Sequence, residues 1–178
     1  MRKLTNDELG RLTVEEYKQA EKLPVVFVLD NVRSANNVGS VFRTADCLGI
    51  AKLYLCGITA VPPNKDINKT ALGATLSVGW EYCGSTLDAI AMLRTDGYQI
   101  LSVEQAEHSI ALQDFSPENG QKYALVFGHE VNGVAQAVVD ASDGCIEIPQ
   151  VGTKHSFNIS VSAGIVAWDV FCKMRCRL

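Results

Sequence analysis

An α/β fold, with a mostly parallel sheet flanked by helices, is what this sequence predicts, and three patterns predict it. Continuous apolar, β-branched runs such as Val25-Val-Phe-Val-Leu29 and Tyr123-Ala-Leu-Val-Phe127 suit strands buried on both faces. Segments of helical character alternate with such runs along the whole chain. Polar loops follow the strands at Asp30 to Asn37, Ser102 to Gln105, Gly128 to Gly133 and Pro149 to Asn158. Open parallel sheets hold their ligands at such strand ends.

The 178 residues fit one main domain, residues 23–178, preceded by a helical extension over 1–22. A chain of this length can bury roughly 70% of its unfolded surface, enough for a core without staples. The formal net charge is −4, which argues against a large nucleic-acid footprint but allows a local one. No apolar run reaches membrane-spanning length and the start lacks a signal-peptide pattern, so a cytoplasmic protein with no membrane partner is expected. Six cysteines contain no CxxC pair. Cys172 and Cys176 are four apart and could share a helix face, but with three histidines in the chain no metal site is expected. Most of the thiols read as small buried hydrophobes.

The elements follow in order. Thr5-x-x-Glu8 and Thr13-x-x-Glu16 are capping boxes, separated by Gly10, and predict two short helices. A strand over 25–29 ends at Asp30. After the polar loop, a helix runs to about Leu48 and stops at Gly49. Val38, Val41, Phe42, Ala45 and Leu48 form its apolar stripe, with Arg43, Ser40 and Cys47 on the other side. Arg43 is therefore free to face a site or, as a lone helical arginine usually does, solvent. Leu53–Cys56 is a strand. The segment from Gly57 to Ala74, with Pro62-Pro63, Lys65 and Lys69, reads as a long connector, and long connectors are often functional. A strand over 78–82, a helix capped by Ser85 and ended by Gly97, and a strand over 98–103 come next. Residues 106–121 form a surface excursion. Strand 123–127, a short helix over 135–141 and strand 145–148 precede a last helix over 158–174. That helix is apolar on most of its circumference, so it needs a second surface to bury against.

The stretch Gly152-Thr-Lys-His-Ser-Phe-Asn158 joins the last strand to the last helix. It is rich in donors, and the free N–H groups of a helix start can hold a polar ligand. The plainer reading is a helix N-cap at Ser156 or Asn158. There is no G-x-G-x-x-G after the first strand and no G-x-x-x-x-G-K-[ST], so the usual dinucleotide and triphosphate sites are unsupported. A receiver-like site would need more acids beside Asp30. A flavin site would need a phosphate-cradling loop after the first strand.

Three stretches taken together resemble the signature motifs of the SpoU (TrmH-like) family of RNA ribose 2′-O-methyltransferases, in the SPOUT superfamily. They are Asn37-Val-Gly-Ser-Val-Phe-Arg43-Thr-Ala, Leu125-Val-Phe-Gly-His-Glu130-Val-Asn-Gly133, and Ile148-Pro-Gln-Val-Gly-Thr-Lys-His-Ser156-Phe-Asn158-Ile-Ser-Val-Ser-Ala-Gly164. They come in the family's order, and the resemblance covers about residues 23–174. Phe157 stands where the family usually has Leu. The resemblance implies a C-terminal deep trefoil knot, a homodimer, and S-adenosylmethionine held mostly by backbone groups. The matching cofactor positions are Ser102, Val103, Glu104, Phe127, Gly128, Glu130, Ile148, Gln150, Phe157 and Asn158. Glycine at 128 and 152 would let backbone approach the ligand.

The resemblance also implies Arg43 as the central catalytic residue. A guanidinium keeps its proton beyond pH 12, so charge stabilisation suits it better than general-base work. Asn37 would position a phosphate or Arg43, and Glu130 would orient Arg43 across the dimer or within the site. Ser156 and Asn158 would place ribose and cofactor. RNA is the implied partner, with tRNA ahead of ribosomal RNA. Arg33, Arg43, Lys65, Lys69, Lys154 and the tail of Lys173, Arg175 and Arg177 could contact it. Two other readings remain: a knotted cofactor- and RNA-binding module without catalysis, and a doubly wound protein for a small molecule.

Overall fold

The computed structural model describes residues 1–5 and 7–175. Cys176 and Arg177 lie outside the described residues, and with them the helix face expected to carry Cys172 and Cys176 and the last cation of the tail.

Seven parallel-paired strands form one sheet in the order β3-β2-β1-β6-β4-β7-β5. They are β1 (Leu23–Asp30), β2 (Ile50–Cys56), β3 (Gly79–Cys83), β4 (Tyr98–Val103), β5 (Ile110–Ala111), β6 (Lys122–Phe127) and β7 (Gly144–Glu147). β1 is central and apolar on both sides. Val25, Phe27 and Leu29 pack into one core layer, and Val26 and Val28 into the other. Phe27 meets Phe127 of β6 edge-to-face, ring centroids 5.0 Å apart. Fully burying side chains of this size stabilises the fold by about 1.5–3 kcal/mol each.

On the first face lie α2 (Ala35–Leu48), α3 (Lys65–Ala71), α4 (Ala74–Ser77) and α7 (Ile159–Arg175); α5 (Thr86–Thr95) and α6 (Gln136–Ala141) cover the other. The predicted stripe of α2 is buried at Val38, Val41, Phe42 and Ala45, and Leu48 packs at its edge. Ser34 Oγ caps its start by accepting from the Asn37 N–H, and Gly49 ends it in the left-handed region at φ 68°. Before the sheet, α1 (Val14–Gln19) carries the predicted capping box at Thr13 and Glu16, and Tyr17 donates to the Ala45 carbonyl of α2. Thr5 and Glu8 also pair, but they start only a 3-10 turn, Asp7–Leu9.

The connector after β2 is not the plain loop expected. Asn64 Oδ1 accepts from the Asp66 and Ile67 N–H groups and starts α3, whose Ile67 and Ala71 are buried under α2. The two helices touch backbone to side chain at Gly39. A Cβ there would fall 2.3 Å from the Ile67 carbonyl oxygen and 2.2 Å from Thr70 Oγ1. The 106–121 excursion also holds a strand, β5, paired with β7.

Helix α7 buries Ile159, Ala163, Val166, Ala167 and Val170. Its other side leaves Val161 exposed, and Trp168 is 59% exposed while stacking on Phe171. Among the described residues no helix is long and apolar enough to cross a membrane.

Candidate active site

Three loops converge beyond the carboxyl ends of β4, β6 and β7. They enclose a cleft of about 940 Å³ lined by Val103 and Glu104, by Phe127 to Val134, and by Ile148, Gln150 and His155 to Ile159. Nine of the ten expected cofactor positions therefore line one cavity: Val103, Glu104, Phe127, Gly128, Glu130, Ile148, Gln150, Phe157 and Asn158. Ser102 is the exception. It is fully buried, and its hydroxyl pairs with Ser142 Oγ at 2.8 Å.

The site's frame is a hydrogen-bonded chain through Asn37. Its amide nitrogen donates to Glu130 Oε1 at 2.8 Å, and its amide oxygen accepts from Asn158 Nδ2 at 3.3 Å. Residues from all three sequence motifs thus meet at one side chain. Glu130 is held further by the backbone N–H groups of Arg33 and Ser34, each at 2.9 Å. These lie at the start of α2, where N–H groups have no helical partner. Burial by itself would push the Glu130 carboxyl up. The donors from Arg33, Asn37 and Ser34 outweigh it and hold the group below its ordinary value. Asn158 also starts α7: its Oδ1 accepts from Ser160 N–H and its carbonyl from Val161 and Ser162. Of the two N-cap candidates, Asn158 is the one used, and Ser156 stands exposed in the cleft wall.

Arg43 stands apart. It is exposed, lines a second depression of about 570 Å³ with Ser40, Thr44, Cys47, Lys69, Thr70 and Gly164, and is absent from the cleft wall. Among the described residues it has no hydrogen bond or ion pair, and Glu130 does not touch it. The expectation that Glu130 orients Arg43 within one chain fails for a geometric reason. Asn37 and Arg43 are six residues apart on α2, about 120° around the helix, and the Glu130 carboxylate is already filled by three donors on α2's first turn.

The predicted cations also divide. Arg33, Lys65, Lys69 and Lys154 are exposed. In the tail, Lys173 is engaged by Asp169 and the Leu112 carbonyl and is not a free contact, while Arg175 lies over the Phe171 ring and stays exposed.

The two glycines singled out in the sequence differ in their surroundings. A Cβ at Gly128 would meet the Gly133 carbonyl carbon and Val134 nitrogen at 2.1 Å, so backbone-to-backbone packing under the loop already requires glycine there. At Gly152 nothing lies within 4 Å. Asp30 is also accounted for. Buried at the end of β1, it accepts from Asn31 Nδ2, Thr86 Oγ1 and the Ala135 N–H, tying β1 to α5 and α6. Among the described residues no three His, Cys, Asp or Glu side chains group as metal ligands. The sequence reading did not single out His129, which lines the cleft beside Glu130. The signal available was its place between Gly128 and Glu130, in the second motif.

The model of the SpoU rRNA methylase family matches residues 24–168. A Staphylococcus saprophyticus protein provisionally named a TrmH family tRNA/rRNA methyltransferase is 30% identical over 160 residues, 90% of this chain. The chain spans 63% of that relative's length. Among solved structures, the A. aeolicus TrmH/SpoU tRNA modifying enzyme aligns with TM-score 0.81 at 22% identity, covering 92% of this chain and 83% of that one. The AdoMet-bound rRNA methyltransferase of Sinorhizobium meliloti aligns with TM-score 0.77 at 23% identity, covering 86% and 58%. At these identities the structural matches establish the fold, the α/β arrangement of SPOUT methyltransferases.

Proposed function

The chain belongs to the SpoU rRNA methylase family, and on that premise we propose that it is an S-adenosylmethionine-dependent methyltransferase acting on a ribose 2′-hydroxyl of RNA. The observation that carries this reading is the junction at Asn37. Glu130, Asn37 and Asn158 join three distant motifs at the wall of one cleft.

The cleft's chemistry fits the cofactor. Val103, Phe127, Ile148 and Phe157 offer apolar surface for a purine, and the carboxylates of Glu104 and Glu130 suit a cationic ligand. Glu104 is part of the frame, accepting from the Val134 N–H at 3.0 Å. Bound there, S-adenosylmethionine would supply a methyl group made electrophilic by its sulfonium. The chain's own residues then hold and orient. Asn158 and Ser156 face the cleft and place ribose and cofactor, while Glu130 fixes Asn37 so that its position does not depend on the ligand. The ribose hydroxyl would take that methyl from the sulfonium and give up its proton to solvent. Arg43 stabilises the developing negative charge, because a guanidinium cannot accept that proton.

In one chain Arg43 and the cleft are separate, so the reading needs a second copy to present Arg43. The exposed apolar side of α7, with Val161 and Trp168, supports a homodimer as the working assembly. A trefoil knot formed by the C-terminal segment and the placement of residues 1–22 outside the catalytic domain belong to the same reading, as does a cytoplasmic site of action. The Arg43 depression, with Lys69 and the hydroxyls of Ser40, Thr44 and Thr70 and with no acid in its wall, suits RNA phosphates. Relatives bearing tRNA and rRNA names leave both substrates open, and we place tRNA first.

The test is incubation with methyl-labelled S-adenosylmethionine and unmodified tRNA, and separately ribosomal RNA, with Arg43→Ala as control. Label in RNA with wild type only is expected. Label in neither RNA while the cofactor still binds would favour a binding module without catalysis.

A further inference from the structure

We propose that His129 is a positioning residue, a latch whose imidazole Nδ1 holds the Glu130 loop in the shape that lets Glu130 grip α2. The inference rests on the methyltransferase reading for its functional arm and on geometry alone for its structural arm. The loop is a tight reversal. His129 and Gly133 exchange backbone hydrogen bonds at 3.0 and 2.8 Å, leaving Glu130, Val131 and Asn132 at the tip. Val131 and Asn132 are exposed, and among the described residues no other side chain accepts from their N–H groups. His129 Nδ1 accepts from both, at 3.0 Å from Val131 and 3.4 Å from Asn132. This requires the neutral ring with its proton on Nε2. The next residue is Glu130, whose two oxygens take the Arg33, Ser34 and Asn37 donors 93 to 97 residues away. The imidazole thus orders the backbone of the tip from which the Glu130 carboxylate projects. From Glu130 the effect passes through Asn37 to Asn158.

Side-chain geometry gives a sharp test. Asn places an acceptor oxygen, Oδ1, at the same distance along the side chain as Nδ1. Phe keeps the ring and loses the acceptor. In the free protein, amide exchange at Val131 and Asn132 should speed up about five- to ten-fold in His129→Phe and His129→Ala, the loss of one to two hydrogen bonds. It should return to the wild-type rate in His129→Asn. Methyl transfer should follow the same order, with His129→Ala and Glu130→Ala non-additive because they act on one frame. Equal exchange in wild type and His129→Phe would overturn the latch, as would failure of Asn to restore it. Absence of methyl transfer in every variant and in wild type would overturn the functional reading instead, while the exchange arm still decides the latch.

Discussion

Removing the Glu130 side chain should cost stability in a graded way that the local geometry sets. Glu130→Ala removes the acceptor of three donors: the Arg33 and Ser34 N–H groups at 2.9 Å and the Asn37 amide at 2.8 Å. A hydrogen bond to a charged group contributes about 1.5–3 kcal/mol when shielded. Here the Arg33 end is exposed and screened, which brings the total to about 2–4 kcal/mol, including the favourable negative charge at a helix start. For a chain of this size that is a fall in melting temperature on the order of 10 °C. Glu130→Gln is milder. Ser34 and Asn37 both donate to Oε1, so a glutamine oxygen there keeps two bonds and forfeits the exposed one to Arg33. Its cost should be about 1 kcal/mol. Thermal or urea unfolding of the three proteins at neutral pH measures both differences. An Ala variant that melts with wild type, or one indistinguishable from Gln, would refute the view that this carboxylate fastens the loop to α2.

Acidification should erase the wild-type advantage over Glu130→Gln. The folded carboxyl lies below its ordinary value of 4.5, so its stabilisation is full above that value and is lost as pH falls through the folded one; melting curves across that range should show the gap closing. Asp30→Ala should destabilise by about 1–3 kcal/mol by stranding the buried Thr86 hydroxyl and releasing the Ala135 N–H, with cofactor affinity unchanged at temperatures well below the melting point, measured by calorimetry. Gly128→Ala should misfold the 128–134 loop and abolish cofactor binding, since the new Cβ overlaps backbone at 2.1 Å, whereas Gly152→Ala should fold normally. If Gly152→Ala loses cofactor without losing stability, the ligand itself comes close there. Lys69→Ala should raise the KM for RNA, leave cofactor affinity unchanged and reduce the salt slope of RNA binding by about one.

Much of the scaffold could be read because burial writes a period into the chain. The two-sided β1 and the stripe of α2 are continuous enough to specify strand and helix, and Gly49 and Asn158 mark the helix ends they occupy. Helices α3 and α4 could not be read that way. Seven and four residues are too few to show a period, and Pro62-Pro63 argues for loop. The close approach of α3 to α2 at Gly39 is a tertiary fact. The candidate site divides in the same manner. The motif residues were visible as polar interruptions at strand ends, but the contact of Asn37 with Glu130 and Asn158 joins positions 93 and 121 residues apart. Helical spacing sets Arg43 and Asn37 in different directions, but only the long-range contacts show which direction the junction takes. Gly128 could not be assigned one role from sequence, because close packing of two backbones and close packing of backbone on ligand both call for glycine.

The most direct test of ribose methylation is the chemical identity of the product. RNA labelled by the wild-type protein would be digested to nucleosides and, in parallel, treated with alkali. Label in a 2′-O-methyl nucleoside, with the adjoining phosphodiester resistant to alkali, is the expected result, and Arg43→Ala should give none. Label in a methylated base, with every phosphodiester cleaved, would contradict it.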